Sequence, residues 1–88
     1  HRAQDLICAD PVRDWPLPEL ADQVHVSARH LSRLFREHAG VTAHDYHRAL
    51  RLALARQWRA AGLGKEKAAL SAGFSSARQM DRAMDANA

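Results

Sequence analysis

A single cysteine, Cys8, excludes an internal disulfide and fits a reducing compartment. No apolar run approaches the roughly 18 residues that a membrane span needs, and no secretory leader is expected. Gly, Pro and β-branched residues are scarce beside Ala, Leu and Arg, a balance that favours helix over sheet. Gly-rich phosphate loops, carboxylate pairs in a fixed setting and any Ser/His/Asp order are missing, so no enzyme chemistry is expected. Six His are present, with His44 and His47 three apart and His38 near them. None has a partner at a zinc spacing, so neither a metal nor another cofactor is expected. The chain opens on His1 rather than Met, which suggests an excised fragment whose missing part lies upstream. At 88 residues it is one small domain or two very small packed ones, hiding only roughly 60 % of its unfolded surface.

What is present is charge of one sign in one place. The formal charge is +3. Residues 1–24 carry two Arg against five acids, whereas residues 25–64 carry seven Arg against Glu37 and Asp45. Arg is the side chain best suited to forked contacts with phosphate or guanine.

Local punctuation predicts six helices. Arg2 to Ala9 is stopped by Asp10-Pro11. Pro18 opens a helix to Val24, because its missing N–H costs nothing in a first turn. His25-Val26 turns the chain and Ser27 caps a helix to about His38, closed by Gly40 in the left-handed conformation. Leu31, Leu34 and Phe35 form its apolar stripe, and Arg29, Ser32, Arg33 and Arg36 lie off it. Thr42 caps a long helix, Ala43 to about Ala61. Its apolar residues fall on several sides and place it between two packing partners. Lys65 to Ala72 ends at Gly73, Phe74 sits in a turn, and Ser75 or Ser76 caps a last helix from Ala77, with fraying expected over residues 85–88. Trp15 and Trp58 are read as hydrophobic anchors, and Cys8 as a small half-buried apolar residue.

The helix–turn–helix pattern thus occurs twice, at residues 18–39 and 65–85. In each copy a short helix with an Ala-rich inner face braces a Ser-capped helix with Arg outward. The major groove is wide enough to admit such a helix.

Leu20-Ala21, Ser27, Arg29-His30-Leu31, Arg33, Phe35 and Gly40 resemble the first unit of the AraC/XylS transcription regulators. Tyr46, Arg51-Leu52 and Ala55 resemble that family's linker helix, and Gly73-Phe74-Ser75 with Arg82 its second unit. The resemblance implies an all-α fold: two homeodomain-like helix-turn-helix subdomains, 1–41 and 63–88, joined by a long linker helix, 42–62. It implies sequence-specific binding of double-stranded DNA in the major groove, promoter control, and a cytoplasmic, nucleoid-associated place. RNA polymerase and an upstream, amidotransferase-like sensor domain are the further implied partners. Carried over by position, Arg29, Ser32 and Arg33 meet bases and phosphates from the first unit, and Arg78, Gln79 and Arg82 do so from the second. Ser27 and Ser76 can take a phosphate at helix starts. His30 completes the first set through packing or backbone contact. Arg36 and Arg48 are read as phosphate contacts or surface charge.

The second unit departs from the family. Lys65 and Ala68 stand where large aliphatics are usual, Met80 and Met84 where Phe is usual. Asp81 puts a negative charge beside the expected phosphate-facing surface, and the closing Gly, Pro and Tyr-Arg stretch is missing. This unit is therefore read as the weaker, truncated half. Two other readings stay open: a helical protein-interaction module with degenerate DNA binding, and the DNA-handling segment of an alkylation-repair protein.

Overall fold

The computed structural model describes residues 2–86, and these residues are all-α. In chain order the helices are α1 (Arg2–Ala9), α2 (Leu17–Gln23), α3 (Ala28–Ala39), α4 (Ala43–Ala60), α5 (Lys65–Ser71) and α6 (Ala77–Ala86). Helix α2 begins one residue before Pro18, which sits in its first turn. Ser27 and Thr42 cap α3 and α4 with their side-chain oxygens, accepting from the His30 and Asp45 N–H groups at 3.1 Å each. Gly40 closes α3 at φ 78°, a conformation that costs an L side chain and that glycine adopts freely. Helix α6 runs through Ala86, with no Gly or Pro to interrupt it, so the stretch expected to fray begins inside the helix. The remainder of that expectation, Asn87 and Ala88, lies outside the described residues, as does His1.

Two separate cores form, and α4 serves both. Ala3, Ile7, Leu20, Ala21, Leu31 and Phe35 are buried together between α1, α2 and α3, with Ala43, Tyr46 and Leu50 of α4 packed against them. Phe35 meets Tyr46 edge-on, ring centroids 5.4 Å apart and planes at 71°, the arrangement that the ring quadrupoles favour. The second core gathers Leu52, Ala55, Ala69, Ala72, Phe74, Met80 and Ala83 from α4, α5, α6 and the turn between the last two. Helix α4 thus turns one half of its length to each lobe, and the molecule is elongated, 40 × 23 × 18 Å.

The two tryptophans part company. Trp15 is half-buried against the first core, its Nε1–H donating to the Asp10 carbonyl at 2.9 Å, with the Arg13 guanidinium 4.3 Å over its ring. Trp58 belongs to neither core: it is 39 % exposed, in a run, residues 56–62, that is exposed throughout. Cys8 is likewise exposed rather than half-buried, its Sγ 3.1 Å from the Tyr46 hydroxyl. That contact, followed by partial burial and the nearby Cys8 and Asp5 charges, raises the Tyr46 hydroxyl pKa above its ordinary value.

Candidate nucleic-acid interface

The turn between α2 and α3 sets the exposed face of α3. Val24 ends α2, His25 takes the left-handed conformation at φ 61°, and the Val26 N–H returns to the Ala21 carbonyl at 3.1 Å. His tolerates this region better than most side chains. The α2–α3 packing turns Leu31 and Phe35 inward. Arg29, His30, Arg33 and Arg36 then stand exposed and Ser32 half-buried on the remaining faces. An Arg33 guanidinium N–H donates to His30 Nδ1 at 3.1 Å, so the imidazole accepts there. Ser27, Arg29, His30 and Arg33 surround an open hollow of about 330 Å³ at the start of α3.

The second unit repeats this construction with different residues. Gly73 takes the left-handed position at φ 99°, and the Phe74 N–H returns to the Ala69 carbonyl at 3.0 Å. Ser76, not Ser75, caps α6, accepting from the Gln79 N–H at 3.1 Å. Glu66 adds a second acceptor for the exposed α6 start, taking the Ala77 N–H at 3.1 Å. Counted from the capping serine, Arg29 and Arg78 fall at the same position, and so do Arg33 and Arg82. Arg78, Gln79 and Arg82 are all exposed.

Gln79 is partly engaged: its side-chain oxygen accepts the Ser75 N–H at 2.6 Å and the Ser75 hydroxyl at 3.0 Å, leaving its amide nitrogen for other partners. Asp81 pairs with Lys65 across α5 and α6 at 2.8 Å. Two departures from the family pattern are thereby matched to each other, and the Asp81 charge is countered locally.

Two residues that position the units carry no signal in the sequence's own periodicity. Arg51 of α4, 13 % exposed, donates Nε–H to the Pro11 carbonyl at 2.8 Å. One terminal nitrogen reaches the Val12 and Arg13 carbonyls and Asp14 at 2.9–3.1 Å. Buried His47 donates Nε2–H to the same Pro11 carbonyl at 2.7 Å. These bonds tie the α1–α2 loop to the linker helix. Only a long-range contact reveals them, since the donors and acceptors lie 36–40 positions apart. Burial comes first among the causes that depress the His47 pKa; the Arg51 and His44 charges reinforce it, and the Pro11 bond and Asp14 oppose it.

Among the described residues no group of three or more His, Cys, Asp and Glu could hold a metal ion, and no helix is long and apolar enough to cross a membrane.

Two helix-turn-helix units, each with a Ser-capped, Arg-bearing outer helix, on one shared helix define a class: the DNA-binding domain of a transcription regulator. The chain belongs to the helix-turn-helix domain family of the AraC type, whose model matches residues 20–87. In structure it is similar to the C-terminal domain of the two-component response regulator yesN from Fusobacterium nucleatum, with a TM-score of 0.83 and 19 % identity over 98 % of this chain and 93 % of that one. That likeness speaks for the fold. No match was found among curated proteins.

Proposed function

We propose that this domain binds double-stranded DNA sequence-specifically at a promoter, with α3 as the main reading helix and α6 as a second head. The observation that carries the reading is the outer face of α3. Arg29, Arg33 and Arg36 stand exposed there while Leu31 and Phe35 fix the helix from behind. A braced helix with exposed guanidinium groups on one side suits the major groove, where an Arg fork pairs with guanine O6 and N7. Ser27 and Ser32 supply further polar contacts, Ser27 at the helix start where N–H groups favour phosphate. His30 holds Arg33 from one side.

The second head, within 63–88, contributes through Arg78, Arg82 and the free amide nitrogen of Gln79, with Ser76 at its start. Its base discrimination is weaker, because Gln79 is partly committed to Ser75. The unit at 1–41 and the linker at 42–62 complete the reader. The response to a signal belongs to a sensor domain upstream in the parent chain, RNA polymerase is the partner at the promoter, and the protein works on the nucleoid.

Selection of binding sites from random duplexes at fixed salt tests this. Two short preferred elements about one helical turn apart are expected, the element read by α3 the more stringent. Failure to enrich any sequence would leave the protein-interaction reading in its place.

A further inference from the structure

Between the two lobes lies a groove of about 480 Å³, walled by Asp14-Trp15-Pro16 before α2, by His44, His47, Arg48 and Arg51 of α4, and by Gln79, Arg82 and Ala83 of α6. Its charge is one-sided. Three arginines line it against one carboxylate, Asp14, which is 88 % exposed and already paired with Arg51. Arg51 is engaged by the α1–α2 loop through its Nε and one terminal nitrogen. In Arg48 one terminal nitrogen meets Asp45 at 3.0 Å, while the buried Nε has no acceptor. A donor left so is costly, and an incoming anion that turns the guanidinium slightly would supply what it lacks. Arg82 faces it from the opposite wall, exposed and without an ion pair among the described residues.

We infer that this groove seats a backbone phosphate of the DNA between the two major-groove segments, held by Arg48 from α4 and Arg82 from α6. The inference rests on the proposed DNA reading and adds a third point of contact to it. The groove adjoins the α6 face that carries Gln79 and Arg82, the face that the second head turns to the duplex in that reading. One phosphate there neutralises surplus cation and fixes the spacing of the two reading helices without reading a base.

The test uses the whole chain and a duplex it has itself selected. Arg48→Gln is expected to weaken binding to every duplex by a similar factor and to lower the slope of log affinity against log salt by about one, as loss of one phosphate contact does. Replacing phosphates one at a time by uncharged methylphosphonates should reveal one position, between the two read elements, that weakens the native chain but not Arg48→Gln. If Arg48→Gln does not fold, Arg48→Met, which keeps the stem and loses the charge, carries the same test. An unchanged salt slope, or no such coupled position, would overturn the seat while leaving DNA reading intact. A native chain that selects no duplex would overturn the reading itself. Inorganic phosphate separates the remaining source of the same chemistry. Saturable stabilisation of the native chain by free phosphate, absent in Arg48→Gln and competitive with DNA, would make the groove a small-anion site and overturn the backbone assignment.

Discussion

Gly73 lies directly beneath the guanidinium of Arg51: a Cβ on Gly73 would stand 2.9 Å from Arg51 Nε and 2.9 Å from the Val12 carbonyl oxygen. The turn of the second helix-turn-helix unit therefore closes over the same contact that fastens the α1–α2 loop to the linker helix. Three segments distant in sequence, residues 11–14, the linker helix and the turn at Gly73, meet at one side chain.

Gly73→Ala is expected to destabilise the domain by about 2 kcal/mol or more. The left-handed φ alone costs an L residue about 1–2 kcal/mol, and the added methyl must displace Arg51 or backbone, neither of which is a free side-chain end. Urea unfolding measures it. A loss no greater than that at Gly40, whose φ is also positive but whose Cβ would meet nothing within 4 Å, would show that the close approach to Arg51 is immaterial.

Arg51→Met keeps the stem and removes the four bonds to residues 11–14. A cost of about 2–4 kcal/mol is expected, since the donors are charged and the carbonyl acceptors lose their partner in a confined place. Arg36→Met, on the exposed face of α3, should by contrast change stability by less than about 0.5 kcal/mol. Equal effects at the two positions would remove Arg51 from the role given to it here.

How far the sequence disclosed this arrangement differs by kind of interaction. Helix boundaries were legible because caps and breakers act within a few residues: Ser27, Gly40, Thr42 and Gly73 each mark an end that the structure keeps. The outward set on α3 was legible from the position of Leu31 and Phe35. The dual service of α4 also followed from its apolar residues lying on several sides. Arg51 and His47 were silent as anchors, because their acceptors are backbone carbonyls, which every residue has and no pattern distinguishes. Trp58 misled because amphipathic period says which face a residue takes, not whether a partner extends that far. Lys65 and Asp81 each looked like a defect in isolation, and only their 2.8 Å approach makes them a pair.

That pair should matter little to stability. Both side chains are about half exposed, and a double-mutant cycle between Lys65→Ala and Asp81→Ala is expected to give a coupling of about 0.2–1 kcal/mol. Its effect on DNA should be larger than its effect on folding, because Lys65→Ala leaves the Asp81 charge uncountered beside Arg82. Affinity titrations at low salt should show Lys65→Ala weakening binding and Asp81→Asn restoring it. Affinity that ignores both changes would place Asp81 away from the duplex.

Stability should fall on the acid side of neutrality through His47. Its folded pKa lies below the ordinary 6.5, chiefly through burial, so the unfolded chain binds the proton more readily. The stability is therefore fully present above about pH 6.5 and declines as pH drops below that value towards the lower folded pKa. Denaturant midpoints across this range, compared with those of His47→Gln, check it. The variant should lose this limb of the curve. A limb of identical steepness in both proteins would assign it to another group.

Arg33→Ala is expected to weaken specific DNA binding by about 1–3 kcal/mol and to relax preference at one base pair. Arg36→Ala should instead weaken all duplexes alike, in the manner of a phosphate contact. The distinction follows from position: Arg33 is held by His30 beside the hollow at the start of α3, the end that would reach base edges in the proposed reading, whereas Arg36 lies in its last turn. Titrations against single-base variants of the selected site separate the two, and a uniform loss from Arg33→Ala would make it a phosphate contact as well.

The two lobes should differ in local stability. Of the seven buried residues of the second core four are alanines, so Leu52, Phe74 and Met80 supply most of its apolar surface. The first core buries Ile7, Leu20, Leu31 and Phe35 and is lined by a wider ring of partly buried apolar side chains. Less apolar area withdrawn from water means less free energy holding the lobe closed, at about 25 cal/mol per Å². Backbone hydrogen bonds of α5 and α6 should therefore open by local fluctuations before those of α2 and α3 do. Amide exchange read by NMR is expected to show lower protection at Ala69, Ala72 and Met80 than at Ala21, Leu31 and Phe35. Met80→Phe, which restores bulk at the centre of the second core, discriminates further. Slower exchange in α5 and α6 would identify missing volume as the weakness, and faster exchange would show that Met already fills its site. Equal protection of both lobes in the native chain would mean that Arg51 couples them into one cooperative unit, and that the poorer core is no local weakness.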